Sequence, residues 1–523
     1  MACIMQVWGR TIDYKYLVGA TFVVALFMDL MDSTVVNVAL PRLGQDFHAR
    51  PATLEWVVSG YLISLAMWIP ASGWLGDRFG TKRILLLAIG IFVAGSLLCS
   101  RAWSIESLVA FRVLQGIGGG MMTPVGSAML FRVFTGPERA QGAAFLTIAT
   151  AVAPLLGPVI GGFLVDHASW RWIFYVNVPL GTAGLIFAGL VLKEHRELNP
   201  GSFDVPGFIL SAVGLSGILL ALAKGPAAGW TSPQVLAFGL GGVTAAVALV
   251  LIELRRRAPL LDLRLFADPM FRAANLTMFA TFSTMAGVVF VMPFFLQSMR
   301  GLSAFQSGAL GLPTAVAPLA MVGLGRRVYA RWGARRLMSL SSAGLAITSG
   351  LLLLIDLNTN LAWIALLAMV RGLALSLAAI SMQTAAFTAV PPSRMGRATS
   401  LFSTQRQVAA AFGVAALATI FSLSLTAHGG SPPQLLTAAE SGNAAVLAAG
   451  VAAFHVAGGL ASIIPVVGLL FALQLRPAAS MTSLTPSTRP APAPANVRCP
   501  LPTPGARLAT AAHIRGDDSG LGT

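Results

Sequence analysis

The sequence is poor in charged residues, cysteine and histidine, and each shortage excludes a class of protein. Only 10% of its 523 residues are Asp, Glu, Lys or Arg, whereas soluble domains carry about 25%. Cys3, Cys99 and Cys499 lie far apart and form no CxxC pair, which argues against a disulfide framework or a zinc site. The six histidines form no metal or nucleophile constellation, so we expect no enzyme and no cofactor.

What the chain has instead is apolar length. Hydrophobic residues make up 56% of it and the mean hydropathy is +0.77, values typical of membrane proteins. Runs long enough to cross a bilayer as a helix, about 20 residues, fall into groups of six, two and six. They lie near 16–40, 53–75, 84–100, 105–130, 140–165 and 172–192, then 205–223 and 234–254, then 273–296, 305–325, 336–355, 360–390, 397–423 and 446–474.

These groups predict an all-α integral membrane protein of about 14 transmembrane helices. We expect an N-terminal six-helix bundle in 1–192, a linker with two helices in 193–272 and a second six-helix bundle in 273–475. The stretch 476–523 is rich in Pro, Ala, Ser and Thr, which predicts a disordered tail. The first apolar run exceeds a signal-peptide core of about 7–15 residues, so we expect it to be retained as a helix.

The basic residues set the predicted orientation. Alternate loops hold about 19 Lys and Arg residues and the opposite loops only about six. The rule that basic loops stay inside makes the first set, and both termini, cytoplasmic. The net charge of +16 is spread in short clusters between apolar runs, so we expect no nucleic-acid partner.

The two six-helix groups resemble each other. Arg112 lies in an apolar helix that precedes the loop GPERAQGAA, and Arg371 lies in an apolar helix that precedes PPSRMGRAT. DRFGTKR in the first half has a counterpart, ARWGARR, in the second. Transporters are commonly built from such halves, with the substrate site between them near the membrane midplane.

Three buried ionisable residues are candidate functional groups, because a charge at a helix centre costs about 2.5–3.5 kcal/mol. Asp29 and Asp32 are three residues apart and therefore share a helix face. A carboxyl group held there can exchange a proton and attract cationic substrates; the alternative is a cap or a pairing with a neighbouring helix. Arg112 requires a partner such as Asp32 or a water-filled cavity, unless its side chain extends to the interface.

Other patterns concern packing and a cavity. GIGGG follows Gln115, but without a following Lys-Ser or Lys-Thr it predicts close helix packing and no phosphate site. In APLLGPVIGG, Gly157 and Gly161 form a GxxxG contact face and Pro158 removes a backbone hydrogen bond. Gln115, Gln405 and Arg406 are candidates for lining a cavity; the alternative for Gln405 and Arg406 is a place near the cytoplasmic interface.

Several segments in order resemble the major facilitator superfamily, and specifically its fourteen-helix drug:proton antiporters. They are MDSTVVNVALP, LEWVVSGYLIS, GWLGDRFGTKR, Arg112 with Gln115 and Gly116, GPVIGG, and WRWIFYVNVPLG. The resemblance implies the major-facilitator fold, two six-helix bundles plus two extra central helices. It also implies a cytoplasmic gate motif and an export-type motif in the fifth helix. The gate motif contains Gly73, Asp77, Arg78, Gly80 and Arg83, and the fifth-helix motif contains Pro154, Gly157, Pro158, Gly161 and Gly162.

This sequence departs from the family pattern in two places. Ala330 stands where the first half has Asp77, so a latch in the second half would differ from that in the first. Asp29 is not part of the resembling motif, so its role rests on burial alone.

We therefore expect a proton-coupled antiporter, monomeric, in the bacterial cytoplasmic membrane. It would export small hydrophobic or cationic compounds such as drugs, antibiotics or biocides by alternating access, with a periplasmic adaptor protein if the cell is Gram-negative. The alternatives are a proton-linked symporter importing a metabolite and an exporter dedicated to one endogenous product. The fifth-helix motif disfavours the symporter, and a receptor would need a sizeable soluble domain.

Overall fold

A computed structural model of the chain describes residues 4–7, 10–49, 51–135, 138–256, 258–388, 390–431, 434–435 and 443–475. The described residues form fifteen α-helices and one antiparallel hairpin, in which β1 (Ile4–Val7) pairs with β2 (Arg10–Asp13). The tail predicted at 476–523 lies outside them.

The helices follow one another through the chain with short connections. They are α1 (Tyr14–Asp46), α2 (Pro51–Phe79), α3 (Thr81–Ser100), α4 (Ile105–Val133), α5 (Arg139–His167), α6 (Trp172–Tyr175), α7 (Asn177–Val191), α8 (Val205–Ala228), α9 (Pro233–Glu253), α10 (Pro269–Pro293), α11 (Ala304–Gly311), α12 (Pro313–Gly350), α13 (Leu361–Thr388), α14 (Met395–Ala427) and α15 (Ala444–Leu473). A π-helical turn (Phe294–Met299) continues α10.

The described residues contain eleven helical spans long and apolar enough to cross a membrane. Helices α4 and α5 add two of 29 residues each, about 43 Å long against a hydrocarbon core of about 30 Å. With the helical stretch from Ala304 to Gly333, these elements agree with the predicted set of about 14. The all-α fold predicted from the apolar runs is confirmed.

The helix boundaries differ from the predicted runs at positions where a glycine interrupts a helix or an N-cap residue starts one. The loop expected between the runs 305–325 and 336–355 shrinks to one residue, Gly333, whose φ of 69° interrupts α12. Glycine adopts this conformation readily because it lacks a Cβ. Helix α10 begins where Asp268 accepts a hydrogen bond from the Phe271 N–H at 2.8 Å and Pro269 follows, a favourable start for a helix.

The helices pack as two bundles and a helical hairpin, which consists of α8 and α9 and is called the hairpin below. Helices α1–α7 contact one another, as do α10 and α12–α15, and α8 packs on α9. Helix α8 lies against α2 of the first bundle and α14 of the second. Lys224 forms an ion pair with Glu55 at 3.3 Å, and the Trp230 indole donates to the Thr419 hydroxyl at 3.0 Å. The hairpin therefore covers the α2–α14 contact.

The two bundles meet at the end that carries the α2–α3 turn. Helix α2 packs on α14, and α5 packs on α12 and α13. The hydroxyl oxygens of Ser72 and Ser400 are 3.1 Å apart. Arg139 donates to the Phe387 carbonyl, and the rings of Phe131 and Phe387 have centroids 4.7 Å apart. Apolar and polar contacts thus close this end.

Helix α5 packs closely on α1 through the predicted GxxxG face. A Cβ on Gly157 would lie 2.9 Å from the Thr34 Cβ, and one on Gly161 would lie 3.1 Å from a methyl of Val35. A Cβ on Gly162 would meet nothing within 4 Å. Lipid offers no hydrophobic drive between helices, so this approach depends on small residues.

Gly161→Leu is expected to lower the thermal midpoint of the purified protein, because overpacking a close contact typically costs about 1–3 kcal/mol. Gly162→Leu is the matched control on the next residue and should leave the midpoint unchanged. Thermal unfolding in detergent measures both, and equal midpoints for the two variants would contradict the packing.

Ser72→Cys combined with Ser400→Cys is expected to form a disulfide on mild oxidation, because the two hydroxyls are in contact across the bundles. The measurement is loss of maleimide labelling after denaturation, with the native cysteines replaced by alanine. Ser72→Cys with Ser424→Cys, about 36 Å further along α14, is the control and should keep both thiols free. Equal oxidation of both pairs would show that the bundles do not meet as described.

Candidate functional site

Asp32 lies at the centre of a hydrogen-bond network inside the first bundle. Its Oδ2 accepts from Arg112 Nη1 at 2.5 Å, and its Oδ1 accepts from Gln115 Nε2 at 2.9 Å and Asn177 Nδ2 at 3.0 Å. Gln115 also donates to the Ser96 hydroxyl at 2.7 Å. Helices α1, α3, α4 and α7 therefore contribute to one polar cluster.

Arg112 is held on several sides and is 1% exposed. Besides Asp32, its Nη1 donates to Gln115 Oε1 at 2.6 Å and its Nε donates to the Val57 carbonyl at 3.1 Å. The guanidinium carbon lies 4.1 Å from the centroid of the Tyr61 ring. The partner of Arg112 is thus Asp32. The additional hydrogen bonds around this buried ion pair offset the free-energy cost of removing both charges from water.

Asp29 occupies a different environment on the same helix. The Tyr61 hydroxyl donates to its Oδ1, and the Thr123 hydroxyl lies 3.5 Å from its Oδ2. Within the described residues, Asp29 forms no ion pair within hydrogen-bonding distance. The two carboxyl groups therefore differ, since Asp32 faces a cation and two amides, whereas Asp29 faces two neutral hydroxyls.

A narrow polar space separates the bundles next to Thr123. It is about 20 Å³, room for about one water molecule, so no substrate fits in this conformation. Both bundles contribute hydroxyl groups, and the second adds the Gln383 amide and Arg406. The lining residues are Thr123, Ser127, Leu146, Thr150, Gln383, Phe387, Thr399, Phe402, Ser403 and Arg406.

The three residues expected to line a cavity have different positions. Arg406 borders the space, with its guanidinium carbon 5.8 Å from the Phe282 ring centroid. Gln405 turns to α10 and donates to the Asn275 carbonyl at 3.2 Å. Gln115 is fully buried within the Asp32 network of the first bundle and does not face the space in this conformation.

Asp77 of the gate motif pairs with a residue that the motif does not contain. Arg132 Nη2 donates to Asp77 Oδ1 at 2.8 Å and lies 3.4 Å from Glu197 Oε1. Arg132 Nε also reaches the Pro392 carbonyl of the second bundle at 3.3 Å. Arg78 is exposed, so the described partner of Asp77 is Arg132.

The remaining motif residues shape the α2–α3 turn and its contact with α14. Gly73 lies against the backbone of Gly396, where a Cβ would clash. Gly80 has a φ of 103°, which favours glycine. The Glu194 carboxylate accepts from the Lys82 N–H at 3.0 Å and lies 3.6 Å from the Arg83 guanidinium. A negative charge is favourable at the start of a helix, and here it stabilises α3.

Sequence reasoning did not identify Arg132, Glu194 and Glu197. They come from the end of α4 and from the linker, and no local spacing connects them to Asp77. The one signal in the sequence was a pair of acidic residues in the linker segment KEHRELNP, which is predicted on the same side of the membrane as the basic residues of DRFGTKR. In the fifth helix, the side chains of Pro154 and Pro158 lie outside the described part of the structure.

Arg112→Gln is expected to lower the free energy of unfolding by about 3–5 kcal/mol, because it leaves Asp32 buried without its cation. The thermal midpoint measures this loss. Arg101→Gln, at an exposed position, is the matched control and should have little effect. Adding Asp32→Asn to Arg112→Gln should recover part of the loss, and purely additive losses would contradict the pairing.

Comparison with known proteins agrees with this architecture. The family model for the Major Facilitator Superfamily matches residues 22–414. Proteins named multidrug resistance protein MdtD are 35% identical, over 399 residues in Salmonella paratyphi B, covering 75% of this chain and 84% of the relative. The one in Salmonella typhimurium matches over 392 residues, which are 74% of this chain and 82% of the relative.

Solved structures share the fold at low sequence identity. The human organic anion transporter MFSD10 aligns with a TM-score of 0.61 and the proton:xylose symporter XylE with 0.59, both at 15% identity. The alignments cover 88% of this chain and 99% and 95% of those proteins, respectively. The family match, the relatives and the two-bundle fold together identify the chain as a multi-pass membrane transporter of the major facilitator superfamily, related to multidrug resistance proteins.

Proposed function

We propose that the protein is a proton-coupled antiporter that exports small, largely apolar compounds by alternating access. The observation that carries the proposal is the pair of carboxyl groups buried in α1, Asp29 and Asp32, which are 6% and 1% exposed. Ionisable groups are kept inside membranes chiefly for ion pathways or substrate sites. The names of the multidrug resistance relatives support drugs as the cargo.

The two carboxyl groups have distinct roles in this proposal. Asp32 is paired with Arg112 and accepts bonds from two amides, so it is held as a carboxylate that fixes four helices. Asp29 is bonded to the hydroxyls of Tyr61 and Thr123, which can also bond a neutral acid. Asp29 is therefore the group that takes up and releases the proton.

In the proposed transport cycle, the two bundles separate at the end of the molecule that carries the α2–α3 turn. Arg132 connects Asp77 and Glu197 to the Pro392 carbonyl, and Arg397 donates to the Pro200 carbonyl at 2.9 Å. Opening this end breaks these polar contacts and the apolar contact between Phe131 and Phe387, and it separates Ser72 from Ser400. Such a movement of one bundle against the other is the common pattern in transporters built from repeats.

A symporter remains the contrasting function, and the direction of coupling separates the two. In proteoliposomes with an acidic lumen, outward proton flow drives uptake by an antiporter whichever way the protein is inserted. A symporter requires the acidic side outside. Labelled neutral drugs such as chloramphenicol are suitable cargo because their own charge does not respond to the gradient.

Asp29→Asn is expected to abolish the acceleration of uptake by an acidic lumen, because an amide cannot exchange the proton. The same variant should keep drug exchange in the absence of a gradient. Asp32→Asn should impair both activities, since it leaves Arg112 without its counter-charge.

Asp356→Asn, in an exposed loop, is the matched control and should transport normally. Uptake driven by an acidic exterior would favour the symporter. Full gradient dependence in Asp29→Asn would contradict the assignment of the proton to that residue.

A further inference from the structure

Arg406 is the one ionisable side chain among the described residues that line the space between the bundles. The rest of the wall is made of five threonine and serine hydroxyl groups, the Gln383 amide, and apolar side chains such as Phe387 and Phe402. Thr123 donates to Asp29, and Thr150 and Thr399 donate to carbonyls of their own helices. A guanidinium only donates hydrogen bonds and suits a carboxylate or another planar anion. The wall therefore offers one positive charge among hydroxyl and amide groups that both donate and accept.

Among the described residues of the second bundle, no acidic side chain pairs with Arg406. Between Pro269 and Leu475 the sequence contains only two acidic residues, Asp356 and Glu440, and Asp356 lies in the exposed loop between α12 and α13. Arg371 in α13 is also a buried cation; it donates to the Thr284 carbonyl at 3.2 Å, and its Nη1 has no partner. The second bundle is therefore positively charged.

The nearest acidic group belongs to the first bundle and is already engaged. Asp29 is bonded to Tyr61 and lies behind Thr123, which borders the same space as Arg406. Asp32 is paired with Arg112. When the bundles separate, Arg406 moves away from Asp29 with the second bundle and becomes accessible to a substrate.

We infer that Arg406 is a specificity-determining residue that selects substrates combining an apolar body with an anionic group, such as a carboxylate or sulfonate. The inference rests on the proposed function as an exporter and names its substrate class. The Phe282 ring lies beside the guanidinium, and Phe387 and Phe402 belong to the same wall. These rings would contact the apolar body of the substrate.

This assignment differs from the cationic cargo expected from the sequence. That expectation required Asp29 or Asp32 to face the substrate. In the structure a cation would have to displace the Tyr61 and Thr123 hydroxyls from Asp29, or Arg112 from Asp32, before meeting a free carboxylate. An anion has to displace nothing from Arg406 except its attraction to Asp29.

Two dyes with one xanthene skeleton and opposite charge test the inference. Fluorescein is an anion at pH 7.4 and rhodamine 123 is a cation. Their binding to the full-length protein in phosphatidylcholine nanodiscs is measured by fluorescence anisotropy, with empty nanodiscs subtracted. Binding needs no proton gradient, so the result does not depend on whether transport is proton-coupled, which the uptake assay tests separately.

The wild type should bind fluorescein more tightly than rhodamine 123. Arg406→Gln should weaken fluorescein binding about tenfold or more, the usual effect of losing a charge-assisted hydrogen bond, without weakening rhodamine 123. Arg406→Lys should retain part of the preference. Arg331→Gln, at an exposed position on α12, is the matched control for loss of one positive charge.

Tighter binding of rhodamine 123 than of fluorescein by the wild type would overturn the inference, and this comparison needs no variant. Equal fluorescein affinity in the wild type and Arg406→Gln would also overturn it. The thermal midpoint of each variant is measured in parallel, and if Arg406→Gln does not fold, the comparison of the two dyes on the wild type decides the inference.

Discussion

The ion pair between Asp32 and Arg112 is the interaction on which the first bundle depends. Arg112 Nη1 and Asp32 Oδ2 are 2.5 Å apart, and both side chains are almost completely buried. Neither charge is tolerable alone in an apolar bundle. Because Gln115, Asn177 and Ser96 complete the network, α1, α3, α4 and α7 are tied to one another at this point.

The same constraint explains why Asp29 differs from Asp32. Its hydroxyl partners, Tyr61 and Thr123, do not require a fixed charge, and Thr123 borders the space between the bundles. A group in this position can change its protonation without dismantling the ion pair one turn away. In the proposed function, Asp32 stabilises the bundle and Asp29 exchanges the proton, so the two roles belong to separate carboxyl groups on one helix.

The two halves repeat the fold but not the distribution of charge. Arg112 has Asp32, whereas its counterpart in the repeat, Arg371, contacts the Thr284 carbonyl and has an unpaired Nη1. With Arg406 added, the second bundle presents positive charge to a space whose acidic neighbours belong to the first. The asymmetry of the halves, rather than their similarity, therefore bears on what the protein binds.

Some long-range contacts were predictable and others were not. A buried arginine requires a partner, and the sequence analysis named an acid such as Asp32 among the alternatives, which the structure pairs with Arg112. The pairing of Asp77 with Arg132 did not, because it joins residues 55 positions apart that no periodicity relates. The Glu194 contact with the start of α3 required the linker to return to the α2–α3 turn, which only the fold reveals.

The sequence by itself determined the membrane class, the helices and the identity of the buried charges, because hydrophobic length and the cost of a charge in lipid act locally along the chain. The tertiary structure alone decided which charge meets which partner and which face borders the space between the bundles. Arg406 illustrates the division: the sequence allowed it a place on a cavity wall or near the cytoplasmic interface. Its location on the wall follows from how α14 packs against α4 and how α5 packs against α13, and helical periodicity within one segment carries no information about that packing.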